Sequence, residues 1–304
     1  MTLLRSVAPY LASVLFLAGC SPYVYKQEID GFALGVKDLA TAHNDGRAYI
    51  MTRDLEDQDA RWAQNRVALT ITACEFRDTG NPGNVECVLH QIAQPVPSPS
   101  PLGAAVRDAG PIVKALSDYS SALAAVANAA DREALTAAQT KLKAAVQGLA
   151  NEAAGKPVAT VGPLVDLFSA LTTAILDQQR YAILRSGVTA AQAPVADLGV
   201  TLARTLGGIW MVRASELRDA ANLEVRNLGS GPDYPSRLRK ARERVAALET
   251  LRTKNPSVAA TDLVAAHDAL AKALADDSRQ VEAVANAVGS FVTQAKAVKD
   301  AFAK

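Results

Sequence analysis

The sequence predicts an all-α protein: an elongated antiparallel helical bundle with long coiled-coil-like helices and a small disulfide-stapled hairpin insertion. Three observations predict it. Alanine, the best helix former and a poor strand former, supplies 60 of the 304 residues. Apolar residues recur at 3-4 spacing through most of the chain, which is the period of a helix face. Only one stretch, around residues 71–92, carries strand-type residues flanking dense turn chemistry. With alanine set aside, about 29% of the chain is still bulky and apolar, enough for a folded core and too much for a disordered chain. The formal net charge of +1 argues against a nucleic-acid partner, whose binding rests on phosphate neutralisation.

The N-terminus reads as an export signal. Arg5 precedes an apolar run from about Val7 to Ala18. That run is short for a membrane span and suits the apolar region of a secretory signal. It ends in Leu17-Ala18-Gly19-Cys20, which resembles the lipobox of bacterial lipoproteins. The resemblance covers these 20 residues only. It implies a signal peptide over 1–19, acylation of Cys20 with palmitate-type chains, and a lipidated tether over 20–27. Several acyl chains on one residue give firm anchoring, at about 0.8 kcal/mol per buried CH₂. Ser21 in place of aspartate after the cysteine implies the outer membrane, facing the periplasm, rather than the inner membrane.

A first helical region is expected from about Gln27 to Thr72, within an N-terminal unit over 28–93. Ile29, Phe32, Val36 and Leu39 share a face; the pattern resumes at Met51, Leu55, Trp62 and Leu69 out of phase. A kink or turn is therefore expected near Gly46. Residues 71–77 and 85–92 read as two short strands around Thr79–Asn84. Cys74 and Cys87 are the only cysteines besides Cys20, and in an exported chain an isolated pair is expected to form a disulfide. Its loop of about 14 residues would contribute on the order of 3 kcal/mol. Zinc is the competing reading, but it needs about four ligands and only His90 stands near. Prolines 95, 97, 99 and 101 predict a polyproline connector over 94–103, separating this unit from an Ala-rich bundle over 104–304.

Within the bundle the spacing predicts helices over about 109–129 and 132–151, the second capped by Asp131, and over 161–186, ended by Gly187. A long helix opens at the capping-box sequence Thr189–Gln192 and runs to about Leu228. Gly229–Asp233 is a stop, followed by helices over about 235–254 and 258–303. The last carries an unbroken 4-3 repeat from Leu263 through His267, Asp277 and Phe291 to Phe302. It reads as a coiled-coil rod about 65 Å long. Segments 114–149 and 244–274 also look alike as helical hairpins, a likeness of composition that common hairpin grammar explains better than duplication.

The chain is poor in catalytic constellations. His43, His90 and His267 form no metal-binding pair at helical spacing; His267 reads first as a packing histidine on the seam and second as a pH sensor. Asp277 reads as a register-fixing polar residue or as a position near a bundle end. Asp54, Glu56, Asp57 and Asp59 lack the calcium-loop pattern and read as a solvated face. Arg237, Arg239, Lys240, Arg242 and Arg244 read as a solvated face or, functionally, as a contact for an anionic surface such as lipid headgroups or cell-wall polymer. Gly207 and Gly208 would cost roughly 2 kcal/mol inside a helix. Either close packing offsets this, or a ligand cleft lies there beside Trp210, with Gln178, Gln179, Arg180 and Tyr181 as polar candidates. Nucleophile elbows and phosphate loops are absent, and Glu133, Glu152, Glu216 and Glu243 lack the histidines of a bundle metal site. The sequence thus predicts a non-enzymatic envelope scaffold or adaptor with protein partners, needing no cofactor or metal. The alternative is a ligand-binding or sensor lipoprotein with its cleft near Gly207–Trp210.

Overall fold

The computed structural model describes residues 25–65, 68–72, 88–92, 99–155, 176–228, 231–275 and 281–303. The fold is a helical bundle, as the alanine content and the periodicity predict. Its elements are α1 (Lys26–Asn65), β1 (Leu69–Thr72), β2 (Val88–Gln91), α2 (Pro101–Asp108), α3 (Gly110–Ala127) and α4 (Arg132–Ala154), then α5 (Leu176–Arg226), α6 (Tyr234–Arg252), α7 (Pro256–Ala275) and α8 (Val281–Phe302). The strands pair antiparallel with Leu69 opposite Gln91. Cys20, Cys74, Cys87 and Asp277 lie outside the described residues, and with them the lipid attachment and the expected disulfide.

α1 runs unbroken for 40 residues, so the turn expected at Gly46 does not occur. The buried face continues from Ile29, Phe32, Val36 and Leu39 through Ala42, His43 and Gly46 to Ile50, while Met51 and Leu55 face solvent. Small residues carry the seam where large ones were sought. A Cβ on Gly46 would stand 2.9 Å from Ile209 Cδ1 and 3.3 Å from Phe302 Cδ2. The glycine is a point of close helix crossing rather than a stop.

Gly187 is reassigned for the same reason. It lies inside α5, and a Cβ there would stand 2.6 Å from Leu142 of α4. α5 therefore does not begin at Thr189; it continues for 51 residues with Pro194 inside it. A proline in a helix interior costs about 3 kcal/mol. Burial of Leu184, Val188, Val195, Leu198, Leu202 and Leu206 offsets that cost. α5 also holds an 18-residue window with a mean hydropathy of 1.2, enough by length and composition to cross a membrane. In the bundle 39% of that window is buried, as core against α4 and α7.

The 65 Å rod expected at the C-terminus is two helices instead. α7 has 20 residues and α8 has 22. They lie side by side, and Ser290 donates to Asp262 Oδ2 at 2.7 Å. Leu263, His267, Leu270 and Leu274 face the core from one arm; Val284, Val288, Phe291, Ala295 and Val298 do so from the other. A heptad repeat marks one apolar face, and two helices that share one phase read as a single helix in the pattern. The 244–274 segment is not a hairpin either. α6 and α7 both run antiparallel to α5: Trp210 meets Leu251, Gly207 meets Ser257 and Gly199 meets Val264.

The packing is not uniformly antiparallel. α1 runs parallel to α8, since Gly31 meets Val288 and Gly46 meets Phe302. It is also parallel to α5 (Gly46 to Ile209, Arg53 to Glu216) and antiparallel to α3 (Asp30 to Asn128, Arg47 to Gly110). The starts of α1 and α5, the end of α3 and the end of α7 therefore share one end, the base. α1 contributes to the same core as α3 and α8, so the connector at 94–103 does not separate one core from another. Its last residues are helical: Pro101 opens α2, and the Ser100 hydroxyl caps it by accepting from the Gly103 amide at 2.9 Å.

Candidate functional site

The structure does not gather the five residues of the expected cleft. Gly208 admits Leu102 of α2, whose Cδ1 would lie 2.7 Å from an added Cβ, and Gly207 lies against Ser257 of α7. Trp210 packs on the core and donates its indole N–H to the Leu251 carbonyl at 2.9 Å. Close packing fills this region. Arg180 and Tyr181 stand at the base, 26 or more residues earlier in α5 and thus about 40 Å away. The buried Arg180 guanidinium donates to the Ala129 carbonyl at the end of α3 and to Asp177. The Tyr181 hydroxyl donates to the Leu274 carbonyl at 2.9 Å. Both residues tie helix ends together.

His43 and His267 are buried core groups. His43 donates from Nε2 to the Val106 carbonyl at 3.2 Å, and burial lowers its pKa. His267 faces the Tyr119 hydroxyl at 2.7 Å, with its ring 5.9 Å from Phe32. Its burial pushes the pKa down to about 4. Both rings are therefore neutral at pH 7 and act as polar packing. Among the described residues no three His, Cys, Asp or Glu side chains converge on a metal position.

The acidic cluster divides. Glu56, Asp57 and Asp59 are exposed, but Asp54 accepts from the Ser100 amide at 3.1 Å and the Ser100 hydroxyl at 3.0 Å. It thus holds the start of α2 against α1. Sequence reading missed this role, although a carboxylate on one helix and a serine before a helix-opening proline were both visible. A groove of about 590 Å³ also runs between α3 and α4. Its floor is Ala115, Ala122, Ala144 and Gly148, and its rim mixes Lys114 and Lys141 with Asp118 and Glu152.

The surface set apart from the core is the arm formed by α6 and the last turns of α5. α8 ends at the level of Arg213, which donates to the Phe302 carbonyl at 3.3 Å and lies 5.2 Å over the Tyr49 ring. Arg53 of α1 then meets Glu216 at 2.8 Å, as a charge contact without hydrogen-bond geometry. Beyond that level α5 continues about 15 Å further, paired with α6. α6 buries only Ala241 and Leu251. Arg237, Arg239, Lys240, Arg242 and Arg244 are all exposed there, with Leu223, Val225, Tyr234 and Val245 beside them. Arg237 also donates to the Asn227 carbonyl at 2.6 Å, closing the arm's tip.

Comparison with protein-family models, curated proteins and solved structures finds no match to this chain.

Proposed function

We propose that this chain is an outer-membrane-anchored periplasmic lipoprotein that serves, without catalysis, as a helical scaffold or adaptor in an envelope assembly. The lipobox-like sequence supports the anchor. One observation supports the scaffold reading: α1 and α5 run parallel from the base, so the start of α1 at Lys26 and the arm lie at opposite ends of a bundle about 75 Å tall. An anchor at Cys20 would leave the arm free to reach a partner away from the membrane. A disulfide between Cys74 and Cys87 belongs to the same reading, since it needs an oxidising compartment.

Mass spectrometry of the protein from native membranes tests the anchor: acyl modification of Cys20 is expected, and an unmodified soluble chain refutes it. Photo-crosslinkers at exposed arm positions such as Val245, compared with base positions such as Arg132, test the scaffold. Envelope components crosslinked from the arm are expected. A measured turnover with no envelope crosslinks would replace the scaffold by an enzyme.

A further inference from the structure

We infer that the tip of the α5–α6 arm is a docking surface for an anionic lipid bilayer. This goes beyond the anchor and does not depend on it. From Leu223 to Arg244 the chain holds six basic side chains against Glu224, Asp233 and Glu243, a local charge of +3 in a protein whose total is +1. All six basic residues are exposed. They occupy the last turn of α5 and the first three turns of α6, so they lie within about 15 Å of the tip.

The tip carries apolar groups among these charges. Leu223 is 58% exposed, Val225 52% and Tyr234 43%. Exposed Leu, Val and Tyr interspersed with Arg and Lys at one apex match a bilayer interface: the apolar groups enter the acyl boundary and the cations meet phosphates. A purely polar polyanion would leave the apolar groups unused. A second copy of the arm would bring +3 against +3 and be repelled. Charge complementarity with apolar insertion at one apex is what selects the bilayer. Joined to an N-terminal anchor, such a tip would make the chain a strut between two lipid surfaces, or between distant points of one.

The test uses the full chain and co-sedimentation with two vesicle types, phosphatidylcholine alone and phosphatidylcholine with about 30 mol% phosphatidylglycerol. The readout is the difference between them, because acyl chains on Cys20 would enter both. Binding to the anionic vesicles is expected to be at least tenfold tighter and to weaken as salt is raised. Arg239→Glu with Lys240→Glu and Arg242→Glu should abolish the difference, at about fivefold or more per reversed charge. Lys141→Glu with Lys143→Glu on α4 should leave it intact. Leu223→Ser with Val225→Ser should weaken anionic binding severalfold while preserving its salt dependence. Circular dichroism melting of each variant, expected unchanged because every site is exposed, establishes that the fold is kept. Equal binding to both vesicles, equal loss in the α4 control, or arm-dependent binding of an acidic protein or a polar polyanion without vesicle binding would each overturn the proposal. Loss of Cys20 acylation would not, which separates this test from that of the anchor.

Discussion

The Tyr119 hydroxyl stands 2.7 Å from Nε2 of His267, joining α3 to α7 in a layer where neither side chain touches solvent. Phe32 and Phe291 close the layer, 5.7 Å apart between ring centres. The chain has only 15 aromatic residues in Phe, Trp and Tyr together, and two of them meet one histidine here while a third packs on Phe32.

That layer predicts acid sensitivity. The folded His267 binds its proton only near pH 4, because burial disfavours the charged ring, whereas the unfolded chain binds it near 6.5. Between those values the unfolded state holds more protons, so stability falls as the pH falls. The gap is worth about 3 kcal/mol once the pH reaches 4. His43, also lowered by burial, adds in the same direction. Urea unfolding at pH 7, 6 and 5 should show a midpoint that falls steadily. Replacing both histidines with glutamine should lower stability at pH 7 and flatten the profile above pH 5. An unchanged slope would assign the acid sensitivity to carboxylates.

Asp54 and Gly103 are coupled through the α2 cap. Asp54 holds Ser100, and a Cβ on Gly103 would run into the Asp54 carboxylate. Asp54→Ala should cost about 1 kcal/mol, the usual worth of such a contact. Gly103→Ala should cost at least as much in the native background and less in Asp54→Ala, where the obstructing carboxylate is gone. A double-mutant cycle on denaturant midpoints measures this coupling, and strictly additive effects would refute it.

Glycines sort by what they face. Gly148 in α4 and Gly289 in α8 have no atom within 4 Å of an added Cβ. Alanine at either should stabilise by about 0.5–1 kcal/mol through helix propensity and a less free unfolded chain. Gly46→Ala should destabilise, because Ile209 and Phe302 crowd the site. Thermal melts should therefore rise for the first two variants and fall for the third.

The same contrast explains what the sequence could tell. Helix type was legible because alanine and the 3-4 period act locally, and Asp131 was recognisable as a cap because a cap is a local device; its Oδ1 accepts from the Ala134 amide at 2.8 Å. Gly46 and Gly187 were misread because a glycine that ends a helix and one that admits a neighbour look alike until the neighbour is known. The fold of α7 back onto α8 was invisible because the two helices share one phase of the repeat. Arg180 and Trp210 were noticed for their chemistry, yet α5 is one continuous helix and holds them far apart along its length. The basic run at 237–244 was legible as composition. Its place at the tip of an arm, beside Leu223 and Tyr234, required the fold.

Trp210 should control how firmly the arm is held. Its indole N–H caps the Leu251 carbonyl near the end of α6, just before the Asn255–Pro256 break that starts α7. α6 has little else: only Ala241 and Leu251 are buried along its 19 residues. Trp210→Phe removes one hydrogen bond and should cost about 1 kcal/mol. Trp210→Ala also removes packing and should cost more. Because α6 is thinly packed, the loss should appear locally before it appears globally. Amide hydrogen exchange across 234–252 should accelerate at least tenfold in Trp210→Ala, while α3 and α7, held by Tyr119 and His267, keep their protection. Acceleration spread evenly over the bundle would mean that the arm unfolds only with the core, and that Trp210 is one more core residue rather than its hinge.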